Sequence, residues 1–179
     1  MKIGVIHGRF QCFHIGHLEY IIKGINACDH IYIGITNYDI DTDKPFNEAD
    51  TERTKKGANP FSYYHRYMMI KNSLIAYGIP IDKFDIVPFP IEYPEKIYQY
   101  VPMNSIFFIT IFDKWDEKKY SIFKSLGLQI EILPSNSTQE NRVSATKVRE
   151  NIRTGRKWSH LVPQSVYNYI IENNLIELI

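Results

Sequence analysis

An open, doubly wound α/β sheet of about five parallel strands, with helices on both faces, is the fold this sequence predicts. Three observations carry that expectation. Short apolar runs alternate with segments of helical period along most of the chain. One run, Ser105–Ile111 (SIFFITI), is almost wholly apolar, as a central strand covered on both faces must be. A glycine-bearing turn with two histidines joins the first strand to the first helix. That is the end of such a sheet where ligands bind.

The elements follow in order. Lys2–Ile6 is strand one. Leu18–Ala27 carries Leu18, Ile21, Ile22 and Ile25 at helical spacing and is helix one. His30–Thr36 is strand two. Tyr38–Ala58 is polar and charged and reads as a long surface loop. Within it, 39–56 is either a lid over substrate or a disordered excursion. Ser62–Tyr77 is helix two, opened by Pro60 and Ser62, stopped by Gly78 and Pro80, with Tyr64, Met68, Ile70 and Leu74 on its apolar side. Phe84–Phe89 is strand three, Glu92–Tyr100 a short helix or loop, and Ser105–Ile111 strand four. Glu117–Leu126 is a helix ended by Gly127, Leu128–Leu133 is strand five, and Ser144–Arg153 is a helix closed by Gly155. Pro163–Asn173 is a last amphipathic helix. With no repeat or linker in view, residues 1–179 read as one domain, its segment from about 144 to 179 packed on the sheet.

Composition narrows the partners. The net charge of +1 leaves no global basic field for nucleic acid, so anion binding must be local. Cys12 and Cys28 make neither a disulfide framework nor a zinc site, which fits a reducing cytoplasm. The chain opens directly on a strand, without a signal-like apolar region, and no run approaches the ~20 residues of a membrane span. The 13 Tyr and 10 Phe are read as core and interface packing, which leaves a homo-oligomer open.

Two segments carry chemistry. In Gly8-Arg9-Phe10-Gln11-Cys12-Phe13-His14-Ile15-Gly16-His17, two imidazoles and a guanidinium meet at a helix start, a place suited to a polyphosphate. Gly16 and Gly8 remove side chains where backbone must approach a ligand. The plain alternative is a tight turn with two solvated histidines. In Arg142-Val143-Ser144-Ala145-Thr146-Lys147-Val148-Arg149, Ser144 is a good N-cap, and Thr146, Lys147 and Arg149 follow it. That makes a second anion cradle, or an ordinary capped basic helix.

Together these blocks resemble the nucleotidyltransferase superfamily that bears the HIGH signature. The first is similar to its G-R-F-Q-P-F-H-x-G-H, with Cys12 where proline is usual. Val143–Arg149 resembles its I-S-[GS]-T-x-x-R. Asn59-Pro60-Phe61-Ser62…Arg66 and Arg156-Lys157-Trp158-Ser159-His160-Leu161-Val162-Pro163 resemble segments of the archaeal-type nicotinamide-nucleotide adenylyltransferases. Asp113-Lys114-Trp115-Asp116-Glu117-Lys118 is closer to the D-x-W-x-x-K of cytidylyltransferases. The resemblance implies a Rossmann-like fold and in-line transfer of a nucleoside monophosphate to a phosphorylated acceptor, with pyrophosphate leaving. It implies His14, His17 and Arg9 on the α- and β-phosphates, with Gly8, Phe10 and Gly16 shaping their loop. Ser144, Thr146, Lys147 and Arg149 would hold the departing phosphates. Asp113 and Trp115 would lie near a base or ring. Arg66 would reach the acceptor phosphate, or else form a surface ion pair. Mg2+ would come with the triphosphate, with no metal-ligand residue named.

The leading expectation is ATP and nicotinamide mononucleotide joined into NAD. The alternative is CTP with a small phosphorylated alcohol or phosphonate. A non-catalytic nucleotide-binding regulator on the same fold is the third reading. A class I aminoacyl-tRNA synthetase, which shares the signature, is disfavoured by the short chain, the lack of a K-M-S-K-like segment and the weak charge.

Overall fold

The computed structural model describes residues 1–38, 56–112, 114–134 and 142–179, with Lys56 and Trp115 described by backbone alone. Its strands are β1 (Ile3–Gly8), β2 (His30–Ile35), β3 (Phe84–Pro88), β4 (Ile106–Ile109) and β5 (Gln129–Ile132). Its α-helices are α1 (Ile15–Asn26), α2 (Tyr63–Ala76), α3 (Lys114–Ser125), α4 (Ala145–Arg153) and α5 (Gln164–Glu172).

The five strands form one sheet in the order β3-β2-β1-β4-β5, and every neighbouring pair is parallel. Strand order reverses between β1 and β4, so the carboxyl ends of those two strands mark the switch point where a ligand crevice opens. The central place belongs to β1 rather than to the strand-four run. Even so, Phe107, Phe108 and Ile109 of β4 are wholly buried, as a strand covered on both faces requires.

Side-chain alternation sorts the core into two layers. Ile6, Ile31, Ile33, Ile35 and Phe108 share one layer with Ile21 of α1, Met69, Ile70 and Leu74 of α2, Val148 of α4 and Ile170 of α5. Val5 and Phe107 share the other with Phe89, Ile97 and Phe123 of α3. Helical segments thus cover both faces. Structural neighbours reported below share this Rossmann-like plan.

Several boundaries differ from expectation, each for a local reason. Strand one continues to Gly8, because β2 pairs with it over its full length. In α2 the buried side is Arg66, Met69, Ile70, Ser73 and Leu74, while Tyr64 is exposed. Glu92–Tyr100 resolves into a 3-10 turn, Pro94–Gln99, entered at a proline. Residues 39–55, the bulk of the expected lid or excursion, lie outside the described residues. Among the described residues no helix is long and apolar enough to cross a membrane.

Candidate active site

Helix α1 starts at Ile15, three residues before its apolar period becomes visible, because two histidines cap it. His14 is the N-cap, and its Nδ1 accepts from the His17 backbone N–H at 3.3 Å. The His17 Nδ1 accepts in return from the His14 N–H, also at 3.3 Å. This is a capping box built from imidazoles. It settles the tautomers: each Nδ1 is an acceptor, so each ring carries its proton on Nε2. The rings stack 3.6 Å apart, 19° from parallel. Burial, then the Arg142 charge, pulls His14 down to about 3. Burial also holds His17 well below its ordinary value, helped by His14, Arg142 and Arg9. Both rings are therefore neutral N–H donors at the head of a helix.

The loop before them is held from outside the motif. Phe10 sits in the left-handed region at φ 55°, a cost met by packing: its buried ring meets His17 edge-on at 5.0 Å and Phe13 at 5.8 Å. A side chain at Gly16 would press on the His14 ring at 3.3 Å, so glycine there keeps the histidine pair in place. The side-chain amide of Gln11 pairs with the backbone N–H and C=O of Phe61, both at 2.9 Å. Arg9 reaches the Asn59 amide oxygen at 3.4 Å.

Arg66 is placed otherwise than expected. It is wholly buried and donates to the carbonyls of Arg9, Thr36 and Asn37 at 2.9, 2.7 and 2.6 Å. This guanidinium knits the ends of β1 and β2 to α2, buried where a surface ion pair was the plain alternative. The Asn59–Arg66 block therefore shapes the first motif from behind. Trp158, Leu161 and Val162 of the tail block are likewise core residues.

The second motif meets the same loop. Ser144 caps α4, its hydroxyl accepting from the Lys147 N–H at 3.2 Å. Arg149 donates to the Gln11 carbonyl and reaches the Thr146 hydroxyl at 3.4 Å. Its buried Nε has no partner among the described residues. Ser144, Thr146 and Lys147 are exposed. Arg149 thus fastens α4 to the histidine loop, and another guanidinium faces the crevice. Arg142 lies 4.2 Å over the Phe112 ring and lines the pocket with His14, Gly16, His17, Tyr20, Lys23 and Thr110; Glu19 is also on its wall. His14 and His17 share this crevice with Arg142, and Arg149 is not on its wall.

Sequence reasoning passed over Arg142, Lys23 and Tyr20. Tyr20 and Lys23 lie three and six residues past His17, on the same side of α1, a spacing that marks them as neighbours. The Tyr20 hydroxyl donates to the Phe108 carbonyl at 2.6 Å and ties α1 to β4. Asp113 lies outside the described residues, as does the side chain of Trp115. Among the described residues no group of three or more His, Cys, Asp or Glu gathers to hold a metal ion, so the residues present offer no metal cage.

Two imidazole donors at the switch point of a parallel five-stranded sheet fit a nucleotidyltransferase, the class to which the relatives belong. The chain belongs to the cytidylyltransferase-like family, whose profile matches residues 5–151. It is 38% identical over 176 residues to phosphonoformate cytidylyltransferase of Streptomyces viridochromogenes, covering 98% of this chain and 94% of that one. It is 30% identical over 173 residues to nicotinamide-nucleotide adenylyltransferase of Saccharolobus solfataricus, covering 96% and 91%. Among solved structures it resembles a bifunctional NMN adenylyltransferase/ADP ribose pyrophosphatase of Francisella tularensis, with TM-score 0.64 and 23% identity. That match covers 97% of this chain but 53% of the other, so the chain spans about half of that protein. A putative nicotinate-nucleotide adenylyltransferase of Vibrio parahaemolyticus matches with TM-score 0.62 and 13% identity, covering 98% and 96%.

Proposed function

We propose that the protein transfers a nucleoside monophosphate from a nucleoside triphosphate to a small acceptor bearing a phosphate or phosphonate, with release of pyrophosphate. The observation that carries this reading is the reciprocal cap of His14 and His17. It commits both Nδ1 atoms to the helix and leaves two neutral Nε2–H donors for the triphosphate. An acceptor of this class is already anionic near neutral pH, so its oxygen needs no strong base. Its lone pair attacks the α-phosphorus while the bond to the pyrophosphate oxygen breaks. Charge then grows on the bridging and α-phosphate oxygens, where the two donors, Arg142 and the α1 N-terminus stabilise it. Neutral imidazoles suit that task, because they donate without first gaining a proton. A divalent ion, magnesium in the first instance, would arrive with the phosphates, and it would screen their charge. No step assigned to the protein runs through it.

Two donor–acceptor pairs meet this geometry. ATP with nicotinamide mononucleotide, expected from sequence, is supported by the archaeal adenylyltransferase relatives. CTP with a small phosphonate is supported by the higher identity to the phosphonoformate enzyme. The second takes precedence here on that identity, 38% against 30%.

Pyrophosphate release, measured with ATP and CTP against nicotinamide mononucleotide and phosphonoformate, tests the proposal. Release with CTP and phosphonoformate is the expected result. Release with ATP and nicotinamide mononucleotide alone would transfer precedence to the other pair. Binding of a triphosphate without release in any pairing would leave a regulator on this fold and refute catalysis.

A further inference from the structure

One polar residue of the sheet core has no part in the mechanism above. His7 stands next to last in β1, on the face opposite α1 and under α3. It is 8% exposed, and neither ring nitrogen has a hydrogen-bond partner among the described residues. Its ring stacks on Phe89 at 4.7 Å, 14° from parallel, and meets Phe123 of α3 at 5.2 Å. Gly34 lies opposite His7 in register on β2, and a side chain there would stand 2.5 Å from the Phe89 ring. Absence of that side chain lets Phe89 lie across β2 and seat the imidazole.

A phenyl ring would fill this sandwich without cost. An imidazole instead buries two polar atoms, each costing about 1–3 kcal/mol while unpaired. The neighbourhood is also charged. Lys119 of α3 acts on His7 electrostatically and pairs with the buried Asp116 at 3.0 Å, whose other oxygen accepts from the Phe112 N–H at 3.1 Å. A polar cluster therefore lies at the carboxyl ends of β1 and β4, across the sheet from the histidine cap.

The chemistry gives that side a use. In-line displacement requires nucleophile and leaving pyrophosphate on opposite sides of the α-phosphorus. The α1 and α4 side holds the triphosphate in the reaction proposed above. An acceptor held on the α3 side of the switch point would meet that requirement. We infer that His7 is a specificity-determining residue for the acceptor, its ring N–H donating to an anionic oxygen of that molecule, with Lys119 supplying charge beside it. This rests on the proposed transfer reaction. It selects small acids with oxygens on both ends over acceptors that offer only an apolar ring at this depth.

The test is His7→Phe, which keeps the aromatic sandwich. Its melting temperature should equal or exceed that of the wild type, since two unpaired polar atoms leave the core. The acceptor KM should rise about tenfold or more, the loss of one hydrogen bond to a charged group, while the triphosphate KM stays within about twofold. His7→Gln, which restores a donor, should recover part of the loss. An unchanged acceptor KM in His7→Phe, or an equal rise for both substrates, would overturn the inference. A second measurement does not depend on turnover or on the variant's folding. In isotope-labelled wild-type protein, the His7 ring-nitrogen NMR signals should move when phosphonoformate or nicotinamide mononucleotide is added beside a non-reactive triphosphate analogue. Silence of those signals with both acceptors overturns the role of His7. Absence of pyrophosphate release with every pair, by contrast, overturns the transfer reaction, and the nitrogen signals then judge His7 alone.

Discussion

Lowering the pH from about 7.5 to about 5.5 should remove about 3 kcal/mol of folding stability, well before most carboxylates titrate. The perturbed groups are His7 and His14, both nearly closed to solvent. Burial, with Lys119 adding to it, holds His7 well below its ordinary value of 6.5; burial, with Arg142 adding to it, brings His14 to about 3. Below pH 6.5 the unfolded chain takes up a proton at each ring and the folded chain does not. Stability is therefore full above 6.5 and falls as the pH drops toward 3. For a site that stays neutral when folded, the loss between pH 7.5 and pH 5.5 is about 1.4 kcal/mol, and two sites give about 3 kcal/mol. His17 shifts the same way and adds to the loss, and burial lowers the half-buried His65 as well. Against a typical stability of about 5–15 kcal/mol this is a large share. With a urea m-value near 2 kcal/mol/M, the midpoint should drop by about 1.5 M. Urea titrations at both pH values read it directly. His7→Phe should recover about 1.4 kcal/mol of the drop, the share of one site. Equal midpoints at the two pH values would refute the argument, because they would mean the folded chain takes up these protons as readily as the unfolded one.

Further outcomes follow from the same contacts. His17→Ala should keep the sheet and lower kcat about 100–1000-fold, the scale for losing one preorganised donor at a developing oxyanion; near-normal turnover would contradict the assignment. Arg66→Met leaves three backbone carbonyls, that of Thr36 buried, short of a donor and should cost about 3 kcal/mol, read as a lower urea midpoint at pH 7.5, with activity lost through the loop it holds. Gly34→Ala drives a methyl into the Phe89 ring and should cost about 1–3 kcal/mol in melting measurements, with the acceptor KM disturbed more than the triphosphate KM.

Much of the architecture was legible because its signals are local. The alternation of apolar runs and helical periods located all five strands, and Ser62 and Ser144 stand as N-caps where expected. Helix α1 was misjudged at its start because an imidazole cap carries no apolar period. The site was legible as two motifs and only partly as geometry. His14 and His17 face the crevice as read. Arginine beside a phosphate motif reads as a ligand contact, and Arg149 and Arg66 also spend donors on backbone carbonyls. Nothing local distinguishes those uses: the Arg149 bond to Gln11 spans 138 residues, and the Arg66 bond to Arg9 spans 57.

By itself the sequence determined the fold class, the two motifs and the end of the sheet where the first of them lies, since period, caps and turn residues act between near neighbours. Only the tertiary structure decided which arginine faces the crevice, which tautomer each histidine takes, and that His7 is buried with its nitrogens unpaired. Those outcomes depend on which distant carbonyl, ring or charge arrives beside a side chain, and chain topology alone brings such partners together.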